Sequence, residues 1–169
     1  SPVPAGKYGL ELEFLRDAIQ NSNAYATGVN QAAKLGKNIA TYPDTDLAQQ
    51  LKNVALMISG GMKTKVYVVT QDFFDTHAKQ VQPGNTTLGT HANLLKTVSD
   101  AINAFQLDLR AQSLEKRVIG VSLSEFGRQI KSNASHGTDH GTAAPLLLFG
   151  ACVKPQILGA NPVIGSDIA

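Results

Sequence analysis

Residues 94–123 read LLKTVSDAINAFQLDLRAQSLEKRVIGVSL. Leu94, Leu95, Val98, Ile102, Phe105 and Leu109 recur at helical spacing, and Val118 to Leu123 then form a short apolar, β-branched run. The pattern predicts a helix over about 87–112 and a strand over 118–123. Upstream, Lys65-Val66-Tyr67-Val68-Val69-Thr70 predicts another strand. Strand, long helix, strand is a βαβ unit, whose strands are expected to run parallel with a right-handed crossover. Ala144 to Phe149 (APLLLF) predicts a third strand. No helix separates it from Leu123, so it is expected to return antiparallel. The expected fold class is therefore α/β, with a mixed, mostly parallel sheet flanked by helices.

Working outward, Leu12, Leu15, Ile19, Ala26, Val29 and Ala33 predict a helix over about 9–35, with a break near Gly28. Leu47, Leu51, Val54, Ala55 and Ile58 predict a second helix that Gly60-Gly61 ends. Residues 1–7 and 156–169 read as loop-like ends. A start at Ser1 suggests a trimmed or processed product.

Bulk composition narrows the function classes. The 169 residues suit one domain, or the C-terminal half of a larger one. Hydrophobic residues at 43% allow a real core, and 17% charged residues argue against disorder. The net charge is +2 and Lys and Arg are scattered singly, so no nucleic-acid surface is expected. No apolar run is long enough for a membrane span. The single cysteine, Cys152, excludes an intrachain disulfide and a CxxC metal site.

Chemistry concentrates in three loops that the expected topology brings to one sheet edge, where open α/β sheets place their sites. Asp75-Thr76-His77 follows the first strand, Glu125 follows the second, and Asp139-His140 precedes the third. Carboxylate oxygens and imidazole nitrogens are ligands for zinc, manganese or similar divalent ions. Each residue also has a plainer reading. Asp and His in glycine-rich loops usually cap turns, Glu125 suits an ion pair with Arg128, and His91 suits a helix cap. Convergence of several ligand types on one edge favours the metal. No Gly-x-Ser-x-Gly elbow surrounds Ser124, and Gly60 to Thr64 lacks P-loop spacing.

Three motifs carry a family resemblance: Phe74-Asp75-Thr76-His77-Ala78, Ser124-Glu125-Phe126-Gly127-Arg128 and Gly137-Thr138-Asp139-His140-Gly141. Their order and spacing resemble the bacterial family called domain of unknown function 1501, over about residues 42–155 and more weakly before that. That family is similar to the alkaline phosphatase and sulfatase superfamily. The resemblance implies an alkaline phosphatase/sulfatase-like fold of which this chain is the C-terminal part. It implies Asp75 and His77 as a ligand pair, Glu125 as the carboxylate after the next strand, His140 as the late histidine ligand, and Asp139 as a ligand or its support. Arg128 is implied to face the anionic group of a substrate. Phe126 stands where phosphatases carry a further histidine ligand, so one metal is implied rather than two. The superfamily nucleophile falls on a segment that this chain does not match.

The expected function is thus a metal-dependent hydrolase of phosphate or sulfate esters, acting on a small anionic ester. The expected cofactor is one divalent ion: zinc, manganese or calcium. The alternative is a non-catalytic metal-binding or protein-interaction domain of the same fold. Association with an N-terminal fragment or as a homodimer is expected of a partial fold. The resemblance implies a periplasmic or extracellular location.

Overall fold

A computed structural model describes residues 4–160 of the chain. The expected loop-like ends at 1–3 and 161–169, with Pro162 and Gly165, lie outside the described residues. The chain divides into two compact units. The first takes the chain through Asn38 together with Asn53–Tyr67, and the second takes Ile39–Lys52 and the chain from Val68 onward.

The first unit is dominated by helix α1, Lys7–Leu35. It runs without the break expected at Gly28. The cost of about 1 kcal/mol for one helical glycine is outweighed by the neighbouring turns. Much of its apolar stripe is exposed, including Leu15 and Ile19. The unit's buried residues include Ala32, Ala55 and Ile58. Helix α2, Asp46–Ser59, starts in the second unit and ends in the first. Its end is a Schellman cap: Met62 N–H donates to Met57 O and Gly61 N–H to Ile58 O, with Gly61 left-handed at φ 86°. Gly60 lets the backbones close up, because a Cβ there would lie 2.0 Å from Ala32 O. Ser59 Oγ accepts from Lys37 N–H at 2.9 Å and ties the end of α2 to the segment after α1.

In the second unit, Leu47, Ala48 and Leu51 of α2 are buried, with Ala101, Ala104, Phe105 and Leu109 of helix α3, Thr90–Ala111. The expected α3 stripe is rotated: Leu95 is exposed, whereas the side bearing the two alanines and Asp108 is buried. Asp108 is fully buried because it meets many donors. Its Oδ1 accepts from Ile39 N–H at 2.7 Å, Ala40 N–H at 3.4 Å and Gln112 Nε2 at 3.0 Å. Its Oδ2 accepts from Tyr42 Oη at 3.0 Å. Burial, reinforced by the Asp108 hydrogen bond and charge, pushes the Tyr42 hydroxyl far above its ordinary pKa, so it stays a donor.

Strands are short. Strand β1, Gly120–Val121, pairs antiparallel with β4, Leu148–Phe149. That is the direction their connection requires. Strand β2, Gly127–Arg128, pairs antiparallel with β3, His140–Gly141. All strand pairs among the described residues are antiparallel. Residues 65–70 form no strand among the described residues, and Val66 and Val68 are exposed. At Thr70 a side-chain amide takes the place of a neighbouring strand: Gln50 donates to Thr70 O and accepts from Thr70 N–H, each at 3.0 Å.

Asp108→Ala strands several buried donors at once. The expected outcome is a loss of about 3 kcal/mol or more, read as a lower urea midpoint at an unchanged slope. A wild-type midpoint would show that the Asp108 cluster does not hold the second unit together.

Candidate metal centre

Two loops and one strand pair build the site. The first loop carries Asp75 and His77, and the start of α3 anchors its far end: Thr90 and His91 N–H donate to Lys79 O and Gln80 O. The second loop carries Asn133 to Asp139. It is knitted to the first by Lys79 N–H to Ser135 O, Val81 N–H to His136 O and Thr138 N–H to Thr76 O. Lys79 and His136 adopt left-handed φ values of 53° and 56° at this seam. Gly137 is required there, because a Cβ would lie 2.2 Å from His77 O. Across β2 and β3, Arg128 stands directly opposite His140, so both side chains project to the same face.

Three potential ligand atoms then converge. Asp75 Oδ1 lies 3.0 Å from His77 Nε2 and 2.8 Å from His140 Nε2, and the two Nε2 atoms are 3.2 Å apart. Asp75, His77 and His140 offer their ligand atoms within 4.8 Å of one another, and all three are solvent-exposed. Two imidazole nitrogens and one carboxylate oxygen suit zinc and similar transition ions, and three protein ligands leave coordination positions open.

Supporting groups surround the three. Asp139 Oδ1 lies 3.0 Å from His77 Nδ1. A carboxylate only accepts, so in the contact with Asp139 it is His77 Nδ1–H that donates, while Nε2 faces Asp75 and His140. Arg128 Nη1 donates to Thr138 O, while Nη2 donates to Phe74 O and to Asp75 Oδ1. The Phe126 ring stacks on His140 with centroids 4.1 Å apart and planes at 16°. Arg128 Cζ sits 4.9 Å from the centroid of the same Phe126 ring.

The charges complement one another. The His140 hydrogen bond, then the nearby His77, His140 and Arg128 charges, hold the Asp75 carboxyl below its ordinary pKa, outweighing desolvation. Hydrogen bonds from His77 and then Asn133 do the same for Asp139. Both carboxylates stay ionised and available as acceptors at neutral pH.

The residues singled out from sequence thus separate by position. Asp75, His77 and His140 meet, Asp139 stands behind His77, and Arg128 stands behind Asp75. Glu125 is exposed in a turn closed by Ser124 Oγ donating to Phe126 O, and it joins none of these contacts among the described residues. His91 is not a ligand neighbour: its ring lies edge-on to Phe74, centroids 5.8 Å apart. Asn133 was not singled out. In a loop reading Ser-Asn-Ala-Ser-His-Gly its only sequence signal is that of a turn former.

The chain belongs to the family described as "Protein of unknown function (DUF1501)", whose model matches residues 21–169. That span contains all three motifs. No curated protein and no solved structure matches the chain.

Arg128→Lys keeps the charge and loses the planar fork that serves two carbonyls and a carboxylate. The expected outcome is a loss of about 1–3 kcal/mol in urea unfolding. It should be accompanied by faster hydrogen exchange at Lys79, Val81 and Thr138, whose amides knit the loops. Unchanged exchange would show that Arg128 does not hold them.

Proposed function

We propose that this chain binds one divalent metal ion through Asp75, His77 and His140, as the metal side of a phosphate- or sulfate-ester hydrolase. The observation that carries the reading is the convergence of two Nε2 atoms and Asp75 Oδ1, from one loop and strand β3, with 2.8–3.2 Å between them. The Asp139–His77 contact supports it, since metal-bound histidines characteristically give their other N–H to a carboxylate. The donor set fits the group, with ligand atoms already facing one point.

A bound divalent ion would supply Lewis acidity, lowering the pKa of water or balancing charge on the transferred group. The chain's own residues do the rest. Asp139 fixes the His77 tautomer, Phe126 flattens against His140, and Arg128 holds Asp75 while adding positive charge beside the site. That charge suits a small anionic ester. Glu125 belongs to the reading as an exposed carboxylate on the turn before β2.

In the same reading the chain is the C-terminal part of an alkaline phosphatase/sulfatase-like α/β fold with a mixed sheet, of periplasmic or extracellular origin. The exposed, alternating segment 65–70 supports this, because such segments pair within larger sheets. An N-terminal fragment or a second copy would supply the pairing. A non-catalytic metal-binding domain of the same fold is the second reading. It is favoured by the absence of a recognisable serine or threonine nucleophile motif in the sequence.

Calorimetric titration of metal-free protein with zinc, manganese and calcium tests the centre. One equivalent is expected to bind with Kd well below about 1 mM, and His77→Ala or His140→Ala weakens it at least about tenfold. Absence of binding below about 1 mM defeats the proposal. Imidazole ligands must be deprotonated, so affinity should fall as the pH is lowered into the acid range. Assays with p-nitrophenyl phosphate and sulfate then separate the two readings: metal binding without hydrolysis of either favours the non-catalytic domain.

A further inference from the structure

We infer that Asn133 is a positioning residue for this centre, acting on His77 through Asp139; the inference rests on the metal-binding reading above. Asn133 is half-buried and lies outside the ligand set, yet its side-chain amide is used in full. Nδ2 donates to His77 O at 2.9 Å and to Asp139 Oδ1 at 3.1 Å. Oδ1 accepts from Ser135 N–H at 3.0 Å and Gly137 N–H at 3.1 Å. An amide side chain has two donor hydrogens and two acceptor lone pairs, and all four are engaged.

The two halves of the amide have different tasks. The Oδ1 half folds the loop on itself, as asparagine does in many turns. The Nδ2 half reaches out of the loop to the backbone of one metal ligand and to the carboxylate that orients the same ligand. Asp139 Oδ1 therefore sits between two donors, Asn133 Nδ2 and His77 Nδ1–H. Rotation of the Asp139 carboxylate would break both bonds together. The same Nδ2 holds the His77 peptide, so the residue is fixed at its backbone carbonyl and at ring Nδ1. Aspartate offers the acceptors but no donor, and serine is too short to span loop and ligand. The geometry calls for an amide of this length.

The test is zinc affinity of the full chain, measured for wild type, Asn133→Ala, Asp139→Ala and the double variant. Asn133→Ala should weaken zinc binding about 10–100-fold, as loss of ligand-orienting groups does. If Asn133 acts through Asp139, the loss in the double variant falls well short of the product of the two single losses. A purely structural role predicts instead that the two losses multiply, and that result overturns the inference. Wild-type affinity in Asn133→Ala overturns it as well. Should Asn133→Ala not fold, Asn133→Asp keeps the acceptors for Ser135 and Gly137, removes the donor and sets a second carboxylate against Asp139. It is expected to lose zinc affinity at least about tenfold, and retained affinity counts against the inference. Failure of the wild-type chain itself to bind zinc, manganese or calcium removes the metal reading, an outcome distinct from a silent Asn133 variant.

Discussion

The guanidinium of Arg128 gathers groups that are far apart in the chain. From one short strand it reaches the carbonyl of Phe74, the carbonyl of Thr138 and the carboxylate of Asp75. Those acceptors belong to two loops separated by the whole of α3. Arginine suits this because its donors lie in one rigid plane, so satisfying one acceptor orders the others. With the loops so joined, the backbone bonds between 79–81 and 135–136 can form, Gly137 can lie against His77, and the ligand-type side chains face each other. Each later feature of the centre presupposes that seam.

The arrangement also resolves a problem of charge. Two carboxylates, Asp75 and Asp139, stand close to two imidazoles and one guanidinium. Each carboxylate accepts from a histidine and from one further donor, Arg128 or Asn133, which keeps both ionised. The site is solvent-exposed, so ordering by multiple hydrogen bonds matters more than raw Coulomb attraction, which water screens. Phe126 adds a flat apolar contact to His140 that fixes the ring plane without competing for its nitrogens. A phenylalanine at this position thus has a physical use even though it cannot bind a metal.

Elsewhere in the second unit, a different polar group organises the interior. Asp108 collects donors from the 39–42 segment and from the next turn of α3. A buried carboxylate is costly unless it is amply hydrogen-bonded, and this one is. It is buried beside Phe105 and Leu109, which belong to the apolar stripe of α3. Leu95, which fits the stripe, is exposed, whereas Ala101 and Ala104 are buried because small side chains suit the face that carries Asp108.

Of the residues that the sequence singled out, Asp75, His77, Asp139, His140 and Arg128 come together, and Glu125 stands apart. Helices at 7–35, 46–59 and 90–111 were legible because helical periodicity is a local property, expressed within a few turns. The ligand-type residues were legible because several of them fall in loops that the expected topology brings to one edge, although Asp-x-His alone is common by chance. Family membership follows from the same motifs. What tertiary structure decided was everything that depends on pairing across long stretches of chain: the convergence of Asp75 with His140, the position of Asp139 behind His77, the stacking of Phe126, and the use of Asn133. No local pattern encodes these, since a carboxylate or an amide has the same neighbours in sequence whether it binds, orients or caps. Which of these it does is settled only when a residue about sixty positions away meets it in space, as His77 meets Asp139, 62 positions further along the chain.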